Sequence, residues 1–410
     1  MIRSLRTGIT GLRSNQLRLD VIGNNIAGVN TTGFKRSRVL FQDALSQRIS
    51  TGGRLLGDSL RNPANVGYGV TVGGIDQVWS QGAFEYTDLP TDLAIAGDGF
   101  FVTESSRGPV LTRVGAFSFD ADGYLVTPGG LRAQGWAANA DETITTGALQ
   151  DVRVDPNATA PPTRTDALTI EGNFAADRPV GGEAVTMSTV VYDGTGDAHT
   201  LVMTVEKTNA GEWTLTGAEI DGEPSTALTI PTDGSQTLTF DEDGALTSGG
   251  TMALSGTFPD GSALAIDADL ASVTQYSGST TTTVTSQNGL ASGSLVDYGF
   301  DQEGRLVLAF SNGERRVAAQ LALGLVTNPD GLEQVGDGFF ATSVASGDLQ
   351  LGRAGNEIPA GVVAGALEAS NVDLAEEFTD MIVAQRGYQA NARVITTSDE
   401  LLQETVQLKR

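Results

Sequence analysis

The chain has no cysteine and only one histidine, His199, in 410 residues. Without cysteine there are neither disulfides nor thiolate metal sites, so stability must come from packing, and the chain is indifferent to the redox state of its surroundings. It has no run of about 18 apolar residues, so no membrane span is expected. The start, Met1-Ile2-Arg3-Ser4-Leu5-Arg6, is basic. Arg13, Asn15, Gln16 and Arg18 interrupt the apolar stretch that a secretory signal needs, so any export is expected to proceed without a cleaved signal peptide. Basic residues are also scarce, 25 against 50 acids, for a net charge of −25.

That charge is unevenly placed. Residues 1–62 hold ten basic residues and three acids (Asp20, Asp43, Asp58), a net of +7, so the remainder carries −32. Residues 155–285 have three bases (Arg164, Arg178, Lys207) against nineteen acids. Such a middle repels polyanions and argues against nucleic-acid binding there. The basic N-terminal segment suits an acidic membrane, a nucleic acid or acidic neighbours in an assembly. A single core rarely grows beyond about 250–300 residues, so two or more domains are expected.

Both ends read as helices and the long middle as β-strands. Ile2, Leu5, Ile9, Leu12, Leu19 and Ile26 recur at heptad-like spacing, with Gln16 in the gap. This is a coiled-coil type of seam. Gly23-Asn24-Asn25 offers a stop signal. At the other end Leu374, Phe378, Met381, Tyr388, Ala392, Ile395, Leu402 and Val406 alternate steps of three and four, with Gln385 and Asp399 in the register. Asp373 and Glu376 suggest a capping box. Gly8, Gly11 and Gly387 weaken these helices by about 1 kcal/mol each relative to alanine. The ends are therefore expected to gain their order from partners.

Between the ends, one hairpin signature occurs three times, at Phe119–Leu125, Phe240–Leu246 and Phe300–Leu306. In each, acids and a glycine form the turn while apolar flanks face a core. Gly-Asp-Gly-Phe-Phe occurs at 97–101 and 336–340, which suggests one β-domain made from both halves of the chain. Asp155–Thr165 reads as a linker, Ser277–Asn288 as the return, and Ala167–Thr274 as an inserted β-domain.

No coherent chemical site emerges. His199 could act as a base, or bind metal with Asp193 and Asp197, but no nucleophile-elbow motif accompanies it. Asp120–Asp122 and Asp241–Asp243 lack the spacing and closing glutamate of calcium loops. The glycines of Val66–Gly74 have no downstream Lys-Ser/Thr and no following helix pattern, so they form no phosphate loop. Neither a catalytic residue nor a metal or cofactor is expected.

The two ends carry a resemblance. Leu19-Asp20-Val21-Ile22-Gly23-Asn24-Asn25-Ile26-Ala27 with Asn30-Thr31-Thr32-Gly33-Phe34-Lys35 resembles the N-terminal signature of the flagellar rod and hook axial proteins. Leu93–Phe101, Gly365–Leu374 and Met381–Ala392 resemble their other shared segments, and Gly28 stands where the family usually has asparagine. The chain length and a middle insert of roughly 130 residues resemble the hook members.

This resemblance implies a mainly β protein with terminal α-helices that pair as a coiled-coil-like domain, followed by two nested β-rich domains. The expected division is 1–35 with 368–410 as the helical polymerisation domain, 36–90 as an extended or β connection, 91–154 with 286–367 as an inner β-domain, and 155–285 as the inserted outer β-domain. It implies subunits that leave through the type III export apparatus and polymerise with themselves into a hollow tube. Rod, hook cap and hook–filament junction proteins are the further partners, with neither nucleic acid nor membrane insertion. The subunit contacts are expected at Ile2, Leu5, Ile9, Leu12, Leu19, Ile26, Leu374, Phe378, Met381, Tyr388, Ile395, Leu402 and Val406. The competing readings are a distal rod or junction protein of the same family, a secreted β-rich adhesin, and an enzyme.

Overall fold

The computed structural model describes residues 2–50, 53–54, 60–61, 64–139, 141–222, 228–229 and 236–407; the side chains of 2, 47–50, 53–54, 60–61, 64 and 228–229 fall outside this description. Helix α1 runs over Ile2–Ala27 and helix α2 over Leu374–Gln407, with strands making up most of the structure between them. The chain is thus mainly β with helical ends.

The expected stop at Gly23-Asn24-Asn25 does not end α1, which continues to Ala27 and closes with a single 3-10 turn at Gly28–Asn30. Asn25 is engaged sideways. Its Nδ2 donates to the Ser37 carbonyl at 2.8 Å, and its Oδ1 accepts the Ser37 N–H at 2.9 Å, as a neighbouring strand would. The chain turns at Gly28 because Phe34 folds back over it. A Cβ there would stand 2.6 Å from the Phe34 ring, so the departure from asparagine has a packing reason. At the start of α2, Asp373 Oδ1 accepts the N–H groups of Ala375 (2.8 Å) and Glu376 (3.3 Å). Glu376 does not close the expected capping box; its carboxylate bonds Arg36 Nη1 at 2.7 Å.

The chain forms two compact units, one of residues 1–155, 298–307 and 317–410, the other of residues 156–297 and 308–316. In the first, stretches leading away from α1 pair with stretches leading into α2. Leu93–Gly97 lies antiparallel to Ala360–Ala364, and Phe84–Tyr86 to Ala366–Glu368. The two Gly-Asp-Gly-Phe-Phe copies flank one strand. Gly108–Thr112 pairs with Phe100–Ser105 through Thr112↔Phe101 on one side, and with Phe339–Ala341 through Thr112↔Phe339 on the other. Phe100 and Phe340 meet on Trp79, with ring centroids 5.3 and 5.1 Å away. The repeat therefore brings the two halves of the chain into one core.

The second unit is two sheets over a shared core. Val185–Tyr192, Ala198–Asn209, Glu212–Ile220, Thr237–Phe240 and Leu246–Ser248 form one sheet. Thr251–Thr257, Ala263–Asp269, Ala167–Asn173 and Thr283–Gln287 are adjacent in the other. Ala263–Asp269 alternates exposed and buried residues throughout, the period-2 signature of a half-buried strand. Trp213 stacks on Phe174 with centroids 4.6 Å apart, among Leu168, Met203, Leu238 and Ile266. The first long strand of the unit, Ala167–Asn173, pairs with Thr283–Gln287 near its end, so the unit closes on itself.

All three hairpin signatures form the same turn. Asp120 Oδ1 accepts the N–H of Asp122 (3.0 Å) and Tyr124 (2.7 Å). Asp241 does the same for Asp243 and Ala245, and Asp301 for Glu303 and Arg305. Gly123, Gly244 and Gly304 take φ of 81°, 79° and 71°, the left-handed region where a Cβ is strained. These aspartates serve the backbone, which accounts for the pattern without a cation.

Candidate assembly interface

Helices α1 and α2 lie antiparallel against each other. Ser4 Oγ is 3.2 Å from Ser398 Oγ at one end, and Asn25 Nδ2 donates to Glu377 Oε1 at 3.1 Å at the other. Arg18 and Asp380 form an ion pair of 3.0 Å between them. The line of contact is made mostly of small and polar residues, with Ile22 and Ile395 among them. A Cβ at Gly11 would stand 2.6 Å from Asn391 Oδ1; one at Gly387 would stand 2.8 Å from Asn15 Oδ1. One at Gly8 would stand 2.9 Å from Ile395 Cγ1.

The arrangement is reciprocal. Each helix carries Gly-x-x-x-Asn, and each asparagine lies over the glycine of the other helix. Each also donates Nδ2 to the carbonyl of its own helix one turn back: Asn15 to Gly11 and Asn391 to Gly387, both at 2.8 Å. The amides are thus partly satisfied locally while filling the space that each glycine leaves. The three glycines, which lower helix propensity, are the positions of closest approach. Ile22 and Ala384 are buried on the same line.

The apolar stripe sits beside this line. On α1, Leu5, Leu12, Leu19 and Ile26 are half-buried and Ile9 is exposed; the Ile2 side chain lies outside the described residues. On α2, Met381, Ile395 and Leu402 are half-buried, whereas Leu374, Phe378, Tyr388 and Val406 are exposed. Ile382, Val383, Val394 and Leu401, absent from the sequence expectation, are exposed too. Of the thirteen expected contact residues, Ile395 is the one that a contact glycine would touch.

A buried charge cluster joins the helical pair to the rest of its unit. Glu368, just before α2, has a fully buried side chain. Its Oε1 accepts Lys35 Nζ at 2.6 Å and the Gly82 N–H at 2.9 Å. Its Oε2 accepts Arg113 Nη1 at 3.2 Å. Lys35 also donates to the Ser80 carbonyl and Arg113 to the Gly97 carbonyl. Burial pushes the Lys35 and Arg113 pKa values down, against the pull of Glu368. One carboxylate thus ties the segment after α1, the segment before α2 and the β-core. Nothing in the sequence pattern singled it out, because its partners lie 255 and 333 residues away.

His199 lies in the second unit between two carboxylates. Its Nδ1 donates to Asp221 Oδ2 at 2.7 Å, and its Nε2 is 3.5 Å from Asp193 Oδ2. Burial opposes its charge, but the bond to Asp221 and the nearby Asp193 carboxylate outweigh that and raise its pKa. Burial likewise works against the Asp193 charge, yet bonds from the Thr195 hydroxyl and from the Asp197 and Thr195 N–H groups hold its pKa at about 2. Asp193 thereby closes its own turn. Among the described residues no group of three or more His, Cys, Asp or Glu could hold a metal ion.

The chain thus joins two clasped helical ends to a mainly β middle, and its known relatives are structural proteins of the flagellum. Four family models match: "Flagella basal body rod protein" at residues 5–35, "Flagellar hook protein FlgE/F/G D1 domain" at 94–173, "Flagellar basal body protein FlaE D2 domain" at 163–290, and "Flagellar basal body rod FlgEFG protein C-terminal" at 363–408. The chain is 37% identical to the flagellar hook protein of Borreliella burgdorferi, over 100% of each chain. It is 34% identical to that of Salmonella typhimurium, over 99% of this chain and 100% of the relative. A crystal structure of the Helicobacter pylori flagellar hook protein FlgE2 aligns with a TM-score of 0.47 at 14% identity, over 70% of this chain and 100% of that one. The chain belongs to the flagellar hook protein family, a structural and non-enzymatic family of the bacterial flagellum.

Proposed function

We propose that this chain is the repeating subunit of a hollow, curved hook that polymerises through its end helices and acts as a universal joint passing torque from rod to filament. The observation that carries this reading is the apolar stripe left open on the clasped helices. Phe378 and Val406 of the stripe are 51% and 71% exposed, and Val383 and Leu401 on the opposite flank are 52% and 53% exposed, although α1 already covers one side of α2. A helix that stays apolar on a second face needs a second partner. The expected contact residues on α1 and α2 are accordingly assigned to neighbouring subunits.

In this reading residues 1–35 with 368–410 form the inner wall, 36–90 connect it outward, 91–154 with 286–367 form the inner β-domain, and 155–285 form the outer one. A bending, rotating tube lengthens on one side and shortens on the other at every turn. The acidic, Thr- and Gly-rich outer segment suits exchangeable wet contacts, and the apolar stripes suit permanent ones. Rod, cap and junction proteins meet the two ends of the tube, and the subunit travels through the flagellar type III export apparatus without a cleaved signal peptide.

The test is negative-stain electron microscopy of the purified, concentrated protein beside amide exchange of the dilute monomer. Curved hollow tubes, with residues 2–30 and 374–407 gaining protection on assembly, are expected. A persistent monomer with both ends fully protected would overturn the reading.

A further inference from the structure

Some charges of the helical pair are matched within the chain and others are not. Arg18 pairs with Asp380, and Arg36 with Glu376. By contrast Arg6, Arg13 and Asp20 on α1, and Arg386, Arg393, Glu400 and Glu404 on α2, are exposed and form no ion pair or side-chain hydrogen bond among the described residues. Their placement is regular. Arg6, Arg13 and Asp20 recur every two turns, which puts them on one face of α1, turned away from the Gly8–Gly11–Asn15 line. Arg386, Arg393 and Glu400 are likewise two turns apart, with Glu404 one turn further, on the exposed side of α2.

The order of signs is complementary when the two faces run antiparallel. Read toward its C-terminus, the α1 face presents plus, plus, minus. Read from its C-terminal end inward, the α2 face presents minus at Glu404, minus at Glu400, plus at Arg393 and plus at Arg386, the last lying beyond Asp20 at the level of the end of α1. One axial offset places Arg13 opposite Glu400 and Asp20 opposite Arg393 together, because both steps span two turns, and it brings Arg6 within about one turn of Glu404. The in-chain pair cannot make these contacts, since the clasp points both faces outward. Two copies standing side by side in the same orientation present α1 of one antiparallel to α2 of the next.

We infer that the outer face of α1 docks on the outer face of α2 of a second copy of this chain, with Arg13–Glu400 and Asp20–Arg393 setting the axial register. This rests on the polymer reading above and adds the registering pairs to it. The mixed signs favour a second copy over a polyanion or an acidic membrane, which Glu400 and Glu404 would repel.

Charge reversal of the full chain tests it, with assembly followed by sedimentation and electron microscopy. Arg13→Glu and Glu400→Arg, each alone, are expected to raise the concentration needed for assembly at least about tenfold at low salt, and the double variant to return it to within about threefold of the original. Because the chain has no cysteine, a mixture of Arg13→Cys chains and Glu400→Cys chains reports the contact directly. A disulfide-linked dimer forming only in the polymer is expected. Single reversals without effect, a double variant no better than the singles, or mixed polymers that do not cross-link would each overturn the pairing while leaving the polymer intact. An unmodified chain that stays monomeric at every concentration would overturn the polymer reading and the pairing together.

Discussion

Asn391 lies over Gly11 at a distance that leaves no room for a methyl group, and Asn15 lies over Gly387 in the same way. Close approach and amide fit are thus one feature. Gly11→Ala gains about 1 kcal/mol of helix propensity but displaces the Asn391 amide and its bond to the Gly387 carbonyl, worth about 1 kcal/mol. The single change is expected to be near neutral or destabilising. Gly11→Ala with Asn391→Ala should be more stable than the sum of the two singles by about 1 kcal/mol or more. Denaturant unfolding of the four proteins measures this, and strict additivity would show that the amide does not fill the glycine site.

Glu368 offers a larger effect. Glu368→Gln keeps the shape but leaves Lys35 buried without its counter-charge and Arg113 with only the more distant Asp98. Removing one partner of a buried ion pair costs about 3–5 kcal/mol. Loss of that size in urea unfolding is expected, accompanied by faster amide exchange at Phe84–Tyr86 and Ala366–Glu368. A loss below about 1 kcal/mol would mean that the cluster is already solvated.

The apolar stripe separates assembly from stability. Phe378 is exposed and lies off the clasp. Phe378→Asp is expected to abolish tubes while changing monomer unfolding by no more than about 0.5 kcal/mol, as surface changes do. Ile395→Asp, which strikes the Gly8 contact as well, should damage both. Normal tubes from Phe378→Asp would remove this stripe from the subunit interface.

The second unit should carry a pH signature. His199 has a raised pKa through Asp221 and Asp193, so its stabilising contribution is fully present below the unfolded histidine value of about 6.5 and fades as pH rises through the folded value. Asp193, held at about 2, contributes above the unfolded aspartate value of about 3.9 and loses that contribution as pH falls toward about 2. Protection of Ala198–Asn209 from amide exchange should therefore be greatest between about pH 4 and 6.5 once intrinsic exchange is corrected for. His199→Gln should flatten the alkaline limb and weaken the acid one only by the share that His199 contributes to Asp221 and Asp193. An unchanged alkaline limb would assign it to another group.

Much of the local structure was legible because its causes are local. An aspartate two and four residues before the N–H groups it accepts, with a glycine free to take positive φ, makes the same turn at Asp120, Asp241 and Asp301 wherever it is placed. The helices show in their periodicity, and the two Gly-Asp-Gly-Phe-Phe copies show as a repeat. The stop at Gly23 misled because glycine permits a helix end without compelling one; Asn25 binding Ser37 kept the helix going. The Gly-x-x-x-Asn pattern stood in both ends of the sequence. Alone, however, each glycine reads as a defect, and only the opposite helix gives it a use.

The sequence by itself determined that the ends are helical, that the middle is β, that no cysteine can cross-link it, and that basic residues crowd the N-terminus. These follow from neighbours along the chain. Tertiary structure alone decided that Gly8, Gly11 and Gly387 are where the two helices approach, against Ile395, Asn391 and Asn15. It also decided that Glu368 gathers Lys35 and Arg113, and which helix charges remain unmatched. Periodicity shows that a helix has an apolar face; it does not show which face meets which, because that depends on contacts hundreds of residues apart whose geometry only the folded chain fixes.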